Sequence, residues 1–108
     1  MHDLNKPDGL SPVGEKAYNC IMNLLTKNNT LSTGGCRAFY SPEEWKARGE
    51  EYGGGAELIV VHDGGDLMEY FCMDVMDYAA IDCMSNALGS VGCYPEQCTS
   101  WYSAIYKS

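Results

Sequence analysis

The run Leu58-Ile59-Val60-Val61 constrains this chain more than any other four residues. Aliphatic and β-branched side chains favour an extended backbone, and the run is too short to build an amphipathic helix. It also lacks polar alternation, so the strand predicted over Glu57–His62 must be covered on both faces. A chain holding such a strand needs one layer above its sheet and another below.

Amphipathic helices supply the first layer. Ser11 is placed to cap a helix with Pro12 at its opening position, where the missing N–H costs nothing. Val13, Ala17, Cys20, Ile21, Leu24 and Leu25 then fall on one stripe. Lys27 suits the last turn, and Asn28 and Asn29 suit a left-handed exit. A second helix is expected to start at Asp74, with Asp77 three residues on in a variant capping box. Its apolar stripe is Val75, Tyr78, Ile81, Ser85 and Leu88, widened by Ala79 and Met84, and Gly89 ends it. Between the two, Ser41-Pro42-Glu43-Glu44-Trp45 announces a short helix. Ser41 caps it, Glu44 returns a hydrogen bond to the cap, and Tyr40 packs on Trp45 as a staple.

Strands fill the intervals. Cys36–Tyr40 reads as a short one. Asp63-Gly64-Gly65-Asp66 is a reversal, which predicts a hairpin pairing Leu67–Cys72 with Glu57–His62. The segment Cys93–Cys98 reads as a connection, and Thr99–Tyr106 as a final strand. In that strand Trp101, Ser103 and Ile105 alternate with Tyr102, Ala104 and Tyr106. One row then meets the helices while Tyr102 and Tyr106 cover the other face, which is the second layer. The expected fold is α+β, a small, mostly antiparallel four-stranded sheet with two main helices on one face. The predicted element order is α-β-(short α)-β-β-α-β, in one domain over residues 1–108.

Charge is unevenly placed. The net charge is −8, yet residues 1–48 carry six basic and five acidic groups, while residues 49–106 carry ten acidic groups and no basic one. Unpaired carboxylates are costly to bury, so this half should present negative potential, repelling phosphate backbones and attracting basic partners. The predicted interaction surface comprises Asp63, Asp66, Glu69, Asp74, Asp77 and Asp82, together with Tyr102 and Tyr106 on the sheet. The expected partner is a basic protein, with no direct nucleic-acid binding. No apolar run has the length of a membrane span, and no basic start precedes an apolar stretch, so a cytoplasmic location is expected.

Three constellations are candidates for chemistry. His62, Asp63 and Asp66 sit around the glycine turn, where His62 would serve as base or ligand and the aspartates as ligands for a hard cation. Cys93 and Cys98, with four residues between them, sit at the upper edge of the spacing of structural zinc sites and could also form a local disulfide. Cys98 with His62 and Asp63 contains the residue types of a nucleophilic triad. Each also has a plain structural reading: turn chemistry, buried thiols and a space-filling histidine. The glycines match no phosphate loop, since no G-x-x-x-x-G-K-[ST] is present. No cofactor and no metal are expected. The leading expectation is therefore a protein-interaction or regulatory domain. The alternative is a small hydrolase or metal-dependent enzyme centred on His62, Asp63 and Asp66.

Overall fold

The computed structural model describes residues 6–28, 37–49, 55–63, 67–73 and 77–108. Its elements run α1 (Pro12–Lys27), β1 (Phe39–Tyr40), α2 (Pro42–Ala47), β2 (Leu58–Val61), α3 (Met68–Phe71), α4 (Tyr78–Gly89), β3 (Cys93–Gln97) and β4 (Tyr102–Lys107). The four strands form one antiparallel sheet in the order β1-β2-β4-β3, with helices packed on it. The α+β class and the antiparallel four-stranded sheet are as expected from the sequence, but the element order is not.

The predicted hairpin is corrected first. One side of β2 is taken by β1, pairing Val60 with Phe39, and the other by β4, pairing Leu58 with Ile105 and Val61 with Tyr102. Leu67–Cys72 therefore cannot add beside it, and residues 68–71 turn as the short helix α3. Leu67, Tyr70 and Phe71 are all buried. Their i, i+3, i+4 spacing puts them on one side of a helical turn, whereas a strand would split them between faces. The real hairpin is β3–β4, where the Cys98 N–H donates to the Tyr102 carbonyl at 3.1 Å. Residues 93–97, predicted as a connection, are thus a strand, and Pro95 is tolerated because β3 is a sheet edge.

The sheet separates two cores. On one face Phe39, Leu58, Val60, Cys93 and Ile105 meet Ala17, Tyr18, Ile21 and Leu25 of α1, Met84 and Leu88 of α4, and Tyr70 and Phe71 of α3. On the other, Ile59, Tyr102 and Ala104 lie under Trp45 of α2. The unalternated apolar run of β2 is explained by this double covering. The rings of Trp45 and Tyr102 are 4.8 Å apart, so α2 covers the row that tyrosines alone were expected to cover.

Local chemistry fixes the helix starts. The Gly14 N–H donates to Ser11 Oγ at 3.0 Å, and the Ser11 hydroxyl donates onward to Glu57 Oε1 at 2.6 Å. This ties α1 to the start of β2. Gly14 is required there, because a Cβ would stand 2.5 Å from the Glu57 carbonyl oxygen. At α2 the expected capping box is complete, and Tyr40 packs on Trp45 at 4.9 Å. Burial alone would raise the Glu44 carboxyl, but the Ser41 amide and Arg37 outweigh it and hold it below its ordinary range. Two exits differ from expectation: Asn28 caps α1 at φ −92°, outside the left-handed region, and Gly92 at φ 77°, rather than Gly89, makes the left-handed turn after α4.

The cap of α4 also moves. Asp77, not Asp74, is the N-cap, accepting the Ala80 N–H at 3.2 Å, and Asp74 lies outside the described residues. The buried line of α4 is Met84 and Leu88. Ile81 and Ser85 are half-buried along one flank, while Tyr78 and Ala79 are exposed. Both flanks of α4 are therefore accessible.

Candidate functional site

His62 does not head an open turn. It is fully buried at the end of β2, its ring stacked on Phe71 at 5.8 Å and 10°, with Nε2 2.9 Å from the Ser103 hydroxyl. Burial pushes its pKa down to about 4, so the ring is neutral near pH 7. Ser103 is itself 0% exposed, although it is among the residues that line a pocket between α3, α4 and β3. Asp63 is exposed and makes no hydrogen bond to the ring, and Asp66 lies outside the described residues. Among the described residues no carboxylate orients the His62 ring as a base would require.

The cysteine readings fail for a backbone reason. Cys93 opens β3 and Cys98 follows its end, so an extended strand holds them roughly 16 Å apart. That separation is too great for one disulfide or one tetrahedral ion. Both are free, and burial raises both thiols above their ordinary pKa, which disfavours a nucleophilic thiolate at Cys98. Among the described residues no group of three or more His, Cys, Asp or Glu side chains is arranged to hold a metal ion. Among those residues, too, no helix is long and apolar enough to cross a membrane.

The predicted interaction residues are distributed unequally. Tyr102 is 2% exposed beneath Trp45 and offers no surface, whereas Tyr106 is half-buried and stacks on the exposed Tyr94 at 5.6 Å. Tyr70 lies on the opposite face, where its Oη accepts from Asn28 Nδ2 at 3.2 Å. Asp82 is exposed, Asp77 is engaged as a cap, and Glu69 is half-buried on α3.

A pocket of about 150 Å³ lies between α3, α4 and β3, and none of these three carboxylates is among its lining residues. Its walls include Phe71, Met73, Ile81, Ser85, Pro95 and Gln97. Gln97 braces the wall: its Oε1 accepts the Met73 N–H at 3.0 Å, and its Nε2 donates to the Thr99 carbonyl at 3.1 Å. At the mouth Met73 is 50% exposed, and Tyr78, one turn before Ile81, is 53% exposed. Asp77 lies one turn before Ile81, and Asp82 one turn before Ser85, so negative charge flanks apolar surface along this side of α4.

The opposite flank of α4 differs in size and charge. There α1 and α4 border an open groove of about 460 Å³. From α1 come Lys16, Asn19, Cys20, Asn23, Leu24 and Lys27, and from the end of α4 Ala87, Ser90 and Val91. Among the described residues no carboxylate lines it. Neither flank was visible as a cavity in the sequence, although the helical period placed Ile81 with Ser85, and Cys20 with Leu24, on shared sides. Compared with known proteins, the chain matches no family model, no curated protein sequence and no solved structure.

Proposed function

We propose that this chain is a protein-interaction domain that receives a basic partner at the pocket between α3, α4 and β3. The observation that carries the reading is the exposure of Met73 and Tyr78 beside a cavity the size of one side chain. Large apolar side chains held in water next to a preformed pocket are the usual make-up of an interface anchor point. Asp77 and Asp82, each one helical turn before a wall residue of α4, favour a partner segment with one apolar side chain flanked by Lys or Arg. The enzymatic alternative has less support, since the His62 ring is fully buried and neutral and, among the described residues, nothing hydrogen-bonds its Nδ1 to orient it as a base.

Selection of a displayed random peptide library on the folded domain tests this. Enriched peptides should carry an apolar residue between basic ones, and their affinity should fall as salt rises. Filling the pocket with Ser85→Tyr should weaken the best peptide at least about tenfold, and Asp82→Lys about threefold, with circular dichroism unchanged. Absence of enrichment, or peptides that bind both variants undiminished, would remove the reading.

A further inference from the structure

The α1–α4 groove is a second site, independent of the pocket across α4. Its α1 wall is one continuous helix face: Lys16, Asn19, Cys20, Asn23, Leu24 and Lys27 recur at three- and four-residue intervals. The two lysines stand eleven residues apart, which is roughly 16 Å along the axis. Between them run the half-buried side chains of Cys20 and Leu24, and Ala87 and Val91 face them from the α4 side. Cys20, Leu24 and Val91 also pack against the main core, so the floor is part of the fold and is present before any ligand arrives.

Charge selects the occupant. In a chain of net charge −8, this groove gathers two of the seven basic side chains and, among the described residues, no acidic one. Among the described residues Lys16 and Lys27 form no ion pair, whereas Lys6 is matched with Glu15 at 3.3 Å and Arg37 with Glu44 at 2.8 Å. Two cations at the ends of an apolar trough fit a ligand with carboxylates at its ends and apolar side chains along its middle. The helical spacing of the wall and the open, elongated form suit a third helix laid into the groove formed by two. A nucleic acid or an anionic membrane needs a broad positive surface, and the net charge opposes both.

We infer that the α1–α4 groove binds an acidic amphipathic helix of a partner protein, with Lys16 and Lys27 pairing carboxylates near its two ends. About three turns of helix span the lysines, so apolar residues at i, i+3 or i+4, and i+7 would meet Cys20, Leu24, Ala87 and Val91. Asn19 and Asn23, exposed on the same wall, offer hydrogen bonds at the rim.

The test is a displayed library of random peptides selected on the intact chain and counter-selected on the Lys16→Glu/Lys27→Glu double variant. Both lysines are exposed, so the variant should keep the wild-type circular dichroism. Enriched peptides should be acidic, with apolar residues at helical period, and should gain helicity on binding. By fluorescence anisotropy the best of them should bind the double variant at least about tenfold more weakly. Leu24→Asp, which keeps both lysines, should also weaken it. No enriched peptide, a basic or aperiodic consensus, or equal affinity for the double variant would overturn the inference. Since Ser85 and Asp82 lie on the other flank, failure here leaves the pocket reading intact, and the converse holds.

Discussion

The two flanks of α4 are built on the same helix yet offer opposite surfaces. On one, Ile81 and Ser85 border a side-chain-sized pocket, with Asp77 and Asp82 one helical turn before them. On the other, Ala87, Ser90 and Val91 border a groove about three times larger, with Lys16 and Lys27 along its α1 wall. The difference follows from what packs beside each flank. A one-turn helix and an edge strand leave a small notch, while a sixteen-residue helix leaves a trough along its length. It also follows from the charge asymmetry, because α1 belongs to the half of the chain that contains almost all of the basic residues. Net charge alone would have assigned one negative surface to the molecule, whereas the groove beside α1 is lined by two lysines.

The strongest way to break the comparison is to remove the line on which both flanks rest. Met84 is fully buried between them, and Met84→Ala should cost roughly 2–5 kcal/mol in denaturant unfolding. Binding at both flanks should weaken together as the folded fraction drops. A loss confined to one flank would mean that α4 does not hold the two surfaces in common.

Acid acts next, and it acts from the pocket side. His62 lies beneath Phe71, which lines the pocket, and its folded pKa of about 4 is below the ordinary 6.5. Below pH 6.5 the unfolded chain takes up a proton that the folded chain refuses until about pH 4. The contribution of neutral His62 is therefore whole above pH 6.5 and is lost as pH falls through this window. The slope should be at most about 1.4 kcal/mol per pH unit. His62→Gln cannot titrate, so the difference between wild-type and variant stability should change with pH across this window and be level above it. A difference that stays level throughout would show that His62 is charged as readily in the folded state as in the unfolded one.

The smallest expected effect comes from the cap. Asp77→Ala removes the acceptor for the Ala80 N–H and should cost about 1 kcal/mol in unfolding. It also removes one carboxylate beside the pocket, so basic peptides should bind there less well while acidic peptides keep their affinity at the groove.

Much of the local structure was legible in the sequence. Ser11-Pro12 and Ser41-Pro42-Glu43-Glu44-Trp45 act through neighbours a few residues away, and both capped helices formed as read. The apolar run 58–61 and the alternation of 102–106 likewise report burial directly. Pairing between distant segments was not legible. Gly64-Gly65 suggested that β2 turns back on the next segment, but the strand beside it is β4, more than forty residues on in sequence. Leu67, Tyr70 and Phe71 satisfy a helical turn, and a segment this short fits period 2 nearly as well. Tyr94-Pro95-Glu96-Gln97 lacks the composition of a strand and is held in the sheet by its register with β4. The carboxylates Glu69, Asp77 and Asp82 were singled out from charge, but the pocket was not legible, because it exists only where β3 lies beside α3 and α4. The basic groove was missed because no local pattern shows that α1 and α4 leave a trough between them.

The central claim is that the two flanks of α4 are separate binding surfaces of opposite charge. The most direct measurement pairs two selected peptides, one basic and one acidic, with two variants, Ser85→Tyr and Lys16→Glu/Lys27→Glu. All combinations are titrated by fluorescence anisotropy against the wild-type chain. The account predicts that Ser85→Tyr weakens only the basic peptide and the lysine double variant only the acidic one, each by at least about tenfold. The two peptides should also bind wild type simultaneously. Competition between them for one site, or a variant that weakens both to the same degree while remaining folded, would contradict it.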